Sequence, residues 1–82
     1  MKFQTKVTVS LKDGVLDPQG KTIGNALKEL GFDNILTVNT GKIFILEIDA
    51  ETESEAIQIA SDAASRLLAN PIIEQFKAEV LL

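Results

Sequence analysis

Asp17-Pro18-Gln19-Gly20 leaves the backbone fewer choices than any other stretch of this chain. Asp at the first position, Pro at the second and Gly at the fourth satisfy a type I turn, with the proline ring pre-setting φ. The same residues suit a helix start, with Asp17 as N-cap and Pro18 at the first helical position, where its missing N–H costs nothing. Period-two alternation runs into this segment and helical spacing runs out of it. The chain must therefore pass from strand to helix here.

Upstream, Phe3, Val7, Val9 and Leu11 alternate with Lys2, Lys6, Thr8, Ser10 and Lys12, the pattern of a half-buried strand. Thr5 is the one polar residue on the apolar side. Downstream, Ile23, Ala26, Leu27 and Leu30 recur at i, i+3, i+4 and i+7, and Gly31 suits the position just past the helix end. Gly24, inside this helix, costs about 1 kcal/mol against Ala unless close packing requires it. Ile35 to Val38 reads as a second strand, joined by a hairpin turn at Gly41-Lys42 or Thr40-Gly41 to a third strand from Ile43 to Ile48.

Thr52-Glu53-Ser54-Glu55 is a capping box opening a second helix. Ala56, Ile59, Ala60, Ala63, Ala64, Leu67 and Leu68 follow at helical spacing, and Asn70-Pro71 ends it, with Asn70 as the expected cap. Phe76, Ala78, Val80 and Leu82 then alternate as a fourth strand. The expected order is β-α-β-β-α-β: an α+β two-layer sandwich, an antiparallel sheet with two helices on one face, in a single domain over residues 1–82.

The third strand does not alternate cleanly. Phe44, Leu46 and Ile48 share one face, but Ile43, Ile45 and Glu47 lie on the other. A strand apolar on both faces has something over its second face. That cover is either the rest of a fully enclosed monomer or another subunit. Only two helices are available in 82 residues, which favours a homodimer or tetramer with Ile43, Ile45 and Glu47 at the interface.

The chain has no Cys, His, Trp or Tyr. Thiol and imidazole chemistry, the usual zinc sites and any disulfide framework are thereby removed. Serines have no histidine to activate them, and the carboxylates mark turns, helix starts and one strand position, Glu47. No catalytic residue, metal site or cofactor is expected. The net charge of −4, with scattered basic residues and only four aromatic rings, weighs against nucleic acid. No apolar run approaches a membrane span and no signal-peptide core opens the chain, so the cytosol is the simplest location. Gly20-Lys21-Thr22 has the tail of a phosphate-binding P-loop, but Val15 stands where the motif needs its first Gly.

Leu11-Lys12-x-x-Val15-Leu16-Asp17-Pro18-Gln19-Gly20-Lys21 resembles the opening signature of the PurS family, small subunits of phosphoribosylformylglycinamidine synthase. Leu30-Gly31-Phe32, Val38-x-x-Gly41-Lys42 and Leu67-Leu68-Ala69-Asn70-Pro71-Ile72-Ile73-Glu74 are similar to its later blocks, in order and at matching spacing. One departure is Asn39, where the family pattern places a basic residue. The resemblance implies an accessory subunit of purine biosynthesis that makes no bonds itself. Its large partner subunit would use ATP to convert formylglycinamide ribonucleotide to the amidine, with ammonia released from glutamine by a separate glutaminase subunit. On that analogy the partner-contacting residues are Asp17, Pro18, Gln19, Gly20, Lys21, Gly41, Lys42 and Asn70, each of which also has a purely structural use as turn or cap. The competing expectation is a regulatory domain of the same architecture, binding a small molecule between subunits.

Overall fold

The computed structural model describes residues 1–81. Strand β1 (Lys2–Leu11) leads to helix α1 (Pro18–Glu29), then β2 (Gly41–Asp49), helix α2 (Glu53–Ala63) and β3 (Glu74–Val80). The sheet is antiparallel and three-stranded in the order β2-β1-β3. Phe3 lies opposite Ile48 and Val7 opposite Phe44 on one side. On the other side Thr5 lies opposite Val80 and Val9 opposite Phe76. The α+β class and antiparallel sheet stand as the sequence predicts.

Two expectations are corrected. Ile35–Val38 is not a strand: residues 35–40 form extended chain without a ladder, and the order is β-α-β-α-β. Val38 instead lies along α1, with its Cγ2 at 3.6 Å from where a Cβ on Gly24 would sit. Gly41 is accordingly the first residue of β2, paired with Ser10, and no hairpin turn forms there. A glycine is needed because a Cβ would lie 2.8 Å from the Val9 carbonyl oxygen, not because of positive φ. The expected end of the last strand at Leu82 lies outside the described residues.

The second correction concerns α1. Only α2 lies on the sheet, against all three strands. Ala56, Ala60 and Ala64 are buried there over Thr5, Val7, Val9 and Ile48. Small side chains on the helix let it approach the strands closely, and they leave a thin core. Helix α1 makes no extensive contact with the sheet or with α2. Its apolar residues are left open, Leu30 at 74% exposure and the neighbouring loop residue Leu36 at 82%. The radius of gyration is 16.0 Å and the longest dimension 50 Å. A compact chain of this length has a radius of about 12 Å. The fold is a small sheet-and-helix body with α1 held out as an arm.

The helix ends follow from local chemistry. Asp17 caps α1 by accepting from the Gly20 N–H at 2.8 Å, and Pro18 occupies the first turn. At the far end Gly31, at φ +94°, permits the paired bonds Phe32 N–H to Leu27 O and Gly31 N–H to Lys28 O, both 3.0 Å, of a Schellman motif. Thr52 caps α2 by accepting from Glu55 N–H at 3.1 Å. The helix then widens into a π-turn over Ala64–Leu68, closed by Ala69 N–H on Ala64 O at 2.9 Å.

Candidate functional site

The residues singled out from the sequence converge at one end of the sheet, where β1 finishes and β2 and β3 begin. Asp17 is the organising group. One carboxylate oxygen accepts from Gly20 N–H, and the other accepts from the Thr40 N–H at 2.7 Å and the Thr40 hydroxyl at 2.9 Å. The Thr40 and Gly20 backbone donors hold the Asp17 carboxyl below its ordinary value, with the Thr40 hydroxyl adding to them against a smaller opposing effect of burial. This clasp ties the start of α1 to the residue before β2, so it sets where the arm leaves the body. Gly20 is buried in the same joint. A Cβ there would collide with the Val38 carbonyl oxygen and come within 2.9 Å of Asp17 Oδ2.

Asn70 reaches the same end by another route. It does not cap α2. Its side-chain oxygen accepts from Ile72 N–H at 3.0 Å, and its own N–H donates to Glu74 Oε1 at 2.7 Å. It therefore organises the turn that feeds β3. Lys12 Nζ braces this turn by donating to the Pro71 carbonyl at 2.7 Å. Glu74 then lies 4.0 Å from Lys42 Nζ across the strand ends.

Gln19, Thr40, Gly41, Lys42 and Glu74 line a small cleft of about 160 Å³ between these pieces. A larger open cleft of about 390 Å³ runs along α1 between Lys21, Asn25 and Lys28 on one wall and Leu36, Val38 and Asn39 on the other. Of the eight candidate contact residues, Asp17 and Gly20 are committed to the internal joint. Pro18, Gln19, Lys21, Gly41, Lys42 and Asn70 remain exposed at this end of the molecule. Thr40 and Glu74 were not singled out as site residues by sequence reasoning. Glu74 closes the quoted Asn-Pro-Ile-Ile-Glu block, which is the one signal that marks it; Thr40 carries none.

The interface candidates lie elsewhere. Ile43, Ile45 and Glu47 share the sheet face opposite α2, beside Lys6 and Thr8 of β1. Ile43 is 61% and Ile45 54% exposed. Lys6 pairs with Glu79 at 3.4 Å and Lys2 with Glu47 at 3.7 Å on this face. These are exposed pairs, each worth little by itself. Among the described residues no group of three or more acidic or ligating side chains is arranged for a metal ion, and no helix is long and apolar enough to cross a membrane.

An arm-bearing sheet with its polar joint at one end matches known proteins over its whole length. Residues 4–81 match the family model of PurS, phosphoribosylformylglycinamidine (FGAM) synthase. The PurS subunit of that synthase from Methanocaldococcus jannaschii is 36% identical over 78 residues, covering 95% of this chain and 94% of the relative. Its counterpart in Bacillus subtilis is 35% identical over 78 residues, covering 95% and 92%. The solved M. jannaschii PurS, described as one of the subunits of formylglycinamide ribonucleotide amidotransferase in the purine biosynthetic pathway, superposes with a TM-score of 0.86 at 37% identity, over 99% of this chain and 96% of that one. A chain in the structure of PurLQS from Thermotoga maritima superposes with a TM-score of 0.90 at 31% identity, over 99% of each. This chain belongs to the PurS family. The projecting arm is part of what superposes, since the match extends over nearly the whole chain.

Proposed function

We propose that this chain is the small accessory subunit of a phosphoribosylformylglycinamidine synthase. In that role it brings the large synthetase and glutaminase subunits together and assists ammonia transfer in the ATP- and glutamine-dependent conversion of formylglycinamide ribonucleotide to its amidine. The observation that carries the reading is the full-length likeness to a chain of the T. maritima PurLQS structure. The residue inventory fits it. A chain without Cys or His has no ready nucleophile or proton shuttle, so its part is to hold surfaces in place. The exposed joint residues Gln19, Lys21, Gly41, Lys42 and Asn70 are the proposed partner contacts. The chain also associates with itself, because the exposed isoleucines of β2 and the unpacked α1 leave more apolar surface open than a lone domain of this size sustains.

Reconstitution tests the reading. The chain is mixed with the large synthetase and glutaminase subunits of the same organism, and turnover of formylglycinamide ribonucleotide is followed with glutamine or with ammonia as nitrogen donor. The coupling role requires glutamine-dependent turnover to depend on the chain while ammonia-dependent turnover survives without it. Indifference of both activities would refute the role, and a melting-temperature shift with nucleotides or amino acids alone would then support the regulatory-domain alternative.

A further inference from the structure

The arm is fastened to itself far more firmly than to the body. Asp17, at the start of α1, accepts from Thr40, at the end of the return segment, so the two legs of the arm are tied together at its base. Further out, Val38 lies against α1 at Gly24, and its carbonyl oxygen closes over the buried Gly20. At the far end Gly31 stops the helix, and Ile35 N–H donates to the Phe32 carbonyl at 3.3 Å as the chain turns back. Residues 17–40 thus form a closed loop of chain with bonds of its own.

Nothing comparable joins that unit to the sheet. Helix α1 makes no extensive contact with any strand or with α2. Among the described residues, no hydrogen bond or ion pair runs from residues 17–40 to the strands or to α2. Open space lies where packing would otherwise be. A cleft of about 160 Å³ separates Gln19 and Thr40 from Val9, Leu11 and Glu74. Another of about 280 Å³ lies between Asp17 and Asn39 on the arm and Ser10 and Gln75 on the body. Sparse contact of this kind marks the segments of a fold that move at least cost.

Two covalent links remain. On one side Lys12 is anchored to the body, its N–H on the Ile73 carbonyl at 2.8 Å and its Nζ on the Pro71 carbonyl at 2.7 Å. Residues 13–16 follow, braced only by Val15 N–H on the Lys12 carbonyl at 3.2 Å. Gly14 sits among them at φ +83°, with nothing within 4 Å of where a Cβ would stand. On the other side Thr40 passes directly into Gly41, the first laddered residue of β2. Each link therefore carries a glycine, and a few such residues can absorb the dihedral change of a hinge. We infer that residues 17–40 swing as one rigid lever on the sheet-and-helix body, turning about residues 13–16 and the Thr40–Gly41 junction. Helix α1, 12 residues long, rises about 18 Å, so a swing of about 30° carries its far end about 9 Å. Pro18, Gln19 and Lys21 ride on the lever, while Gly41, Lys42 and Asn70 stay with the body. On the accessory-subunit reading, the lever lets these two sets of contacts follow partner subunits that shift against each other.

Residual dipolar couplings of the wild-type chain in a weakly aligning medium test the lever with no partner present, so its failure leaves the accessory reading standing. They average over motion up to milliseconds, the range in which hinges move. Couplings from the three strands and α2 should fit one alignment tensor. Those from α1 and residues 35–40 should together fit a second, weaker by about 20% for a swing of about 30° either way. A single tensor of full strength for the whole chain would overturn the swing. Separate tensors for α1 and for residues 35–40 would overturn it equally, because the arm would not be one rigid unit.

Discussion

Thr5 offers the sharpest test of how the core is built. It sits in the middle of β1, beneath α2, at 0% exposure, and its hydroxyl has no hydrogen-bond partner among the described residues. Its ladder neighbours are Leu46 and Val80, both apolar. A buried hydroxyl left unpaired costs about 1–3 kcal/mol of desolvation. Thr5→Val removes that cost, keeps the β-branched shape, and adds a buried methyl worth about 0.8 kcal/mol at most. Allowing for partial compensation by nearby dipoles, the expected gain is about 1–2 kcal/mol. For a chain of this length each kcal/mol moves the melting temperature by about 6 °C, so an increase of about 6–12 °C should appear by calorimetry. Protomer concentration must be matched between variants, because the proposed self-association would add its own stabilisation. Urea unfolding should show a higher midpoint with an unchanged slope. Thr5→Ser keeps the hydroxyl and loses the methyl, so it should fall below wild type. A Thr5→Val protein no more stable than wild type would show that the hydroxyl is satisfied after all, and the account of this site would be wrong.

Other expectations concern the joint and the arm. Gly24→Ala should stabilise by about 0.5–1 kcal/mol in thermal unfolding, because a Cβ there meets only Val38 at ordinary contact distance. Gly20→Ala should instead destabilise and loosen the arm, visible as faster amide exchange at Thr40; equal melting temperatures for the two variants would contradict the described joint. The Asp17 carboxyl is held below the ordinary 3.8, so its contribution is complete above that pH and is lost as pH falls toward the lowered value. Unfolding titrations from pH 7 to pH 2 should therefore show an acid-side loss in wild type that is reduced in Asp17→Asn. Gln19→Ala combined with Lys42→Ala should weaken binding to the synthetase partner in calorimetric titration without lowering the melting temperature; the reverse outcome would reassign both residues to the fold.

What sequence patterning reveals here is local, and what it misses is long-range. The alternation of Phe3 to Leu11, the Asp17-Pro18 start, the Gly31 stop and the Thr52 capping box all appear in the structure, because each is decided by a few neighbouring residues. Ile35–Val38 misleads because a short apolar run packs equally well against a strand or along a helix, and Val38 lies along α1. The apolar stripe of α1 likewise shows that something covers it, without showing that the covering surface is not its own sheet. In the joint, the N-cap role of Asp17 is legible from the residues just after it. Its second oxygen, held by Thr40 from 23 positions away, is not.

The placement of β1 has a consequence for how the chain is made. The central strand is synthesised first, yet its two neighbours come from the middle of the chain and from near Val80. At about 5–20 residues per second, the ribosome needs several seconds to deliver the last strand. Val7 and Val9 wait with both flanks open until β2 has been made, and with one flank open until β3 arrives. Sheet closure is thus a late event that waits on β3, the strand that sets Phe76 beside Val9.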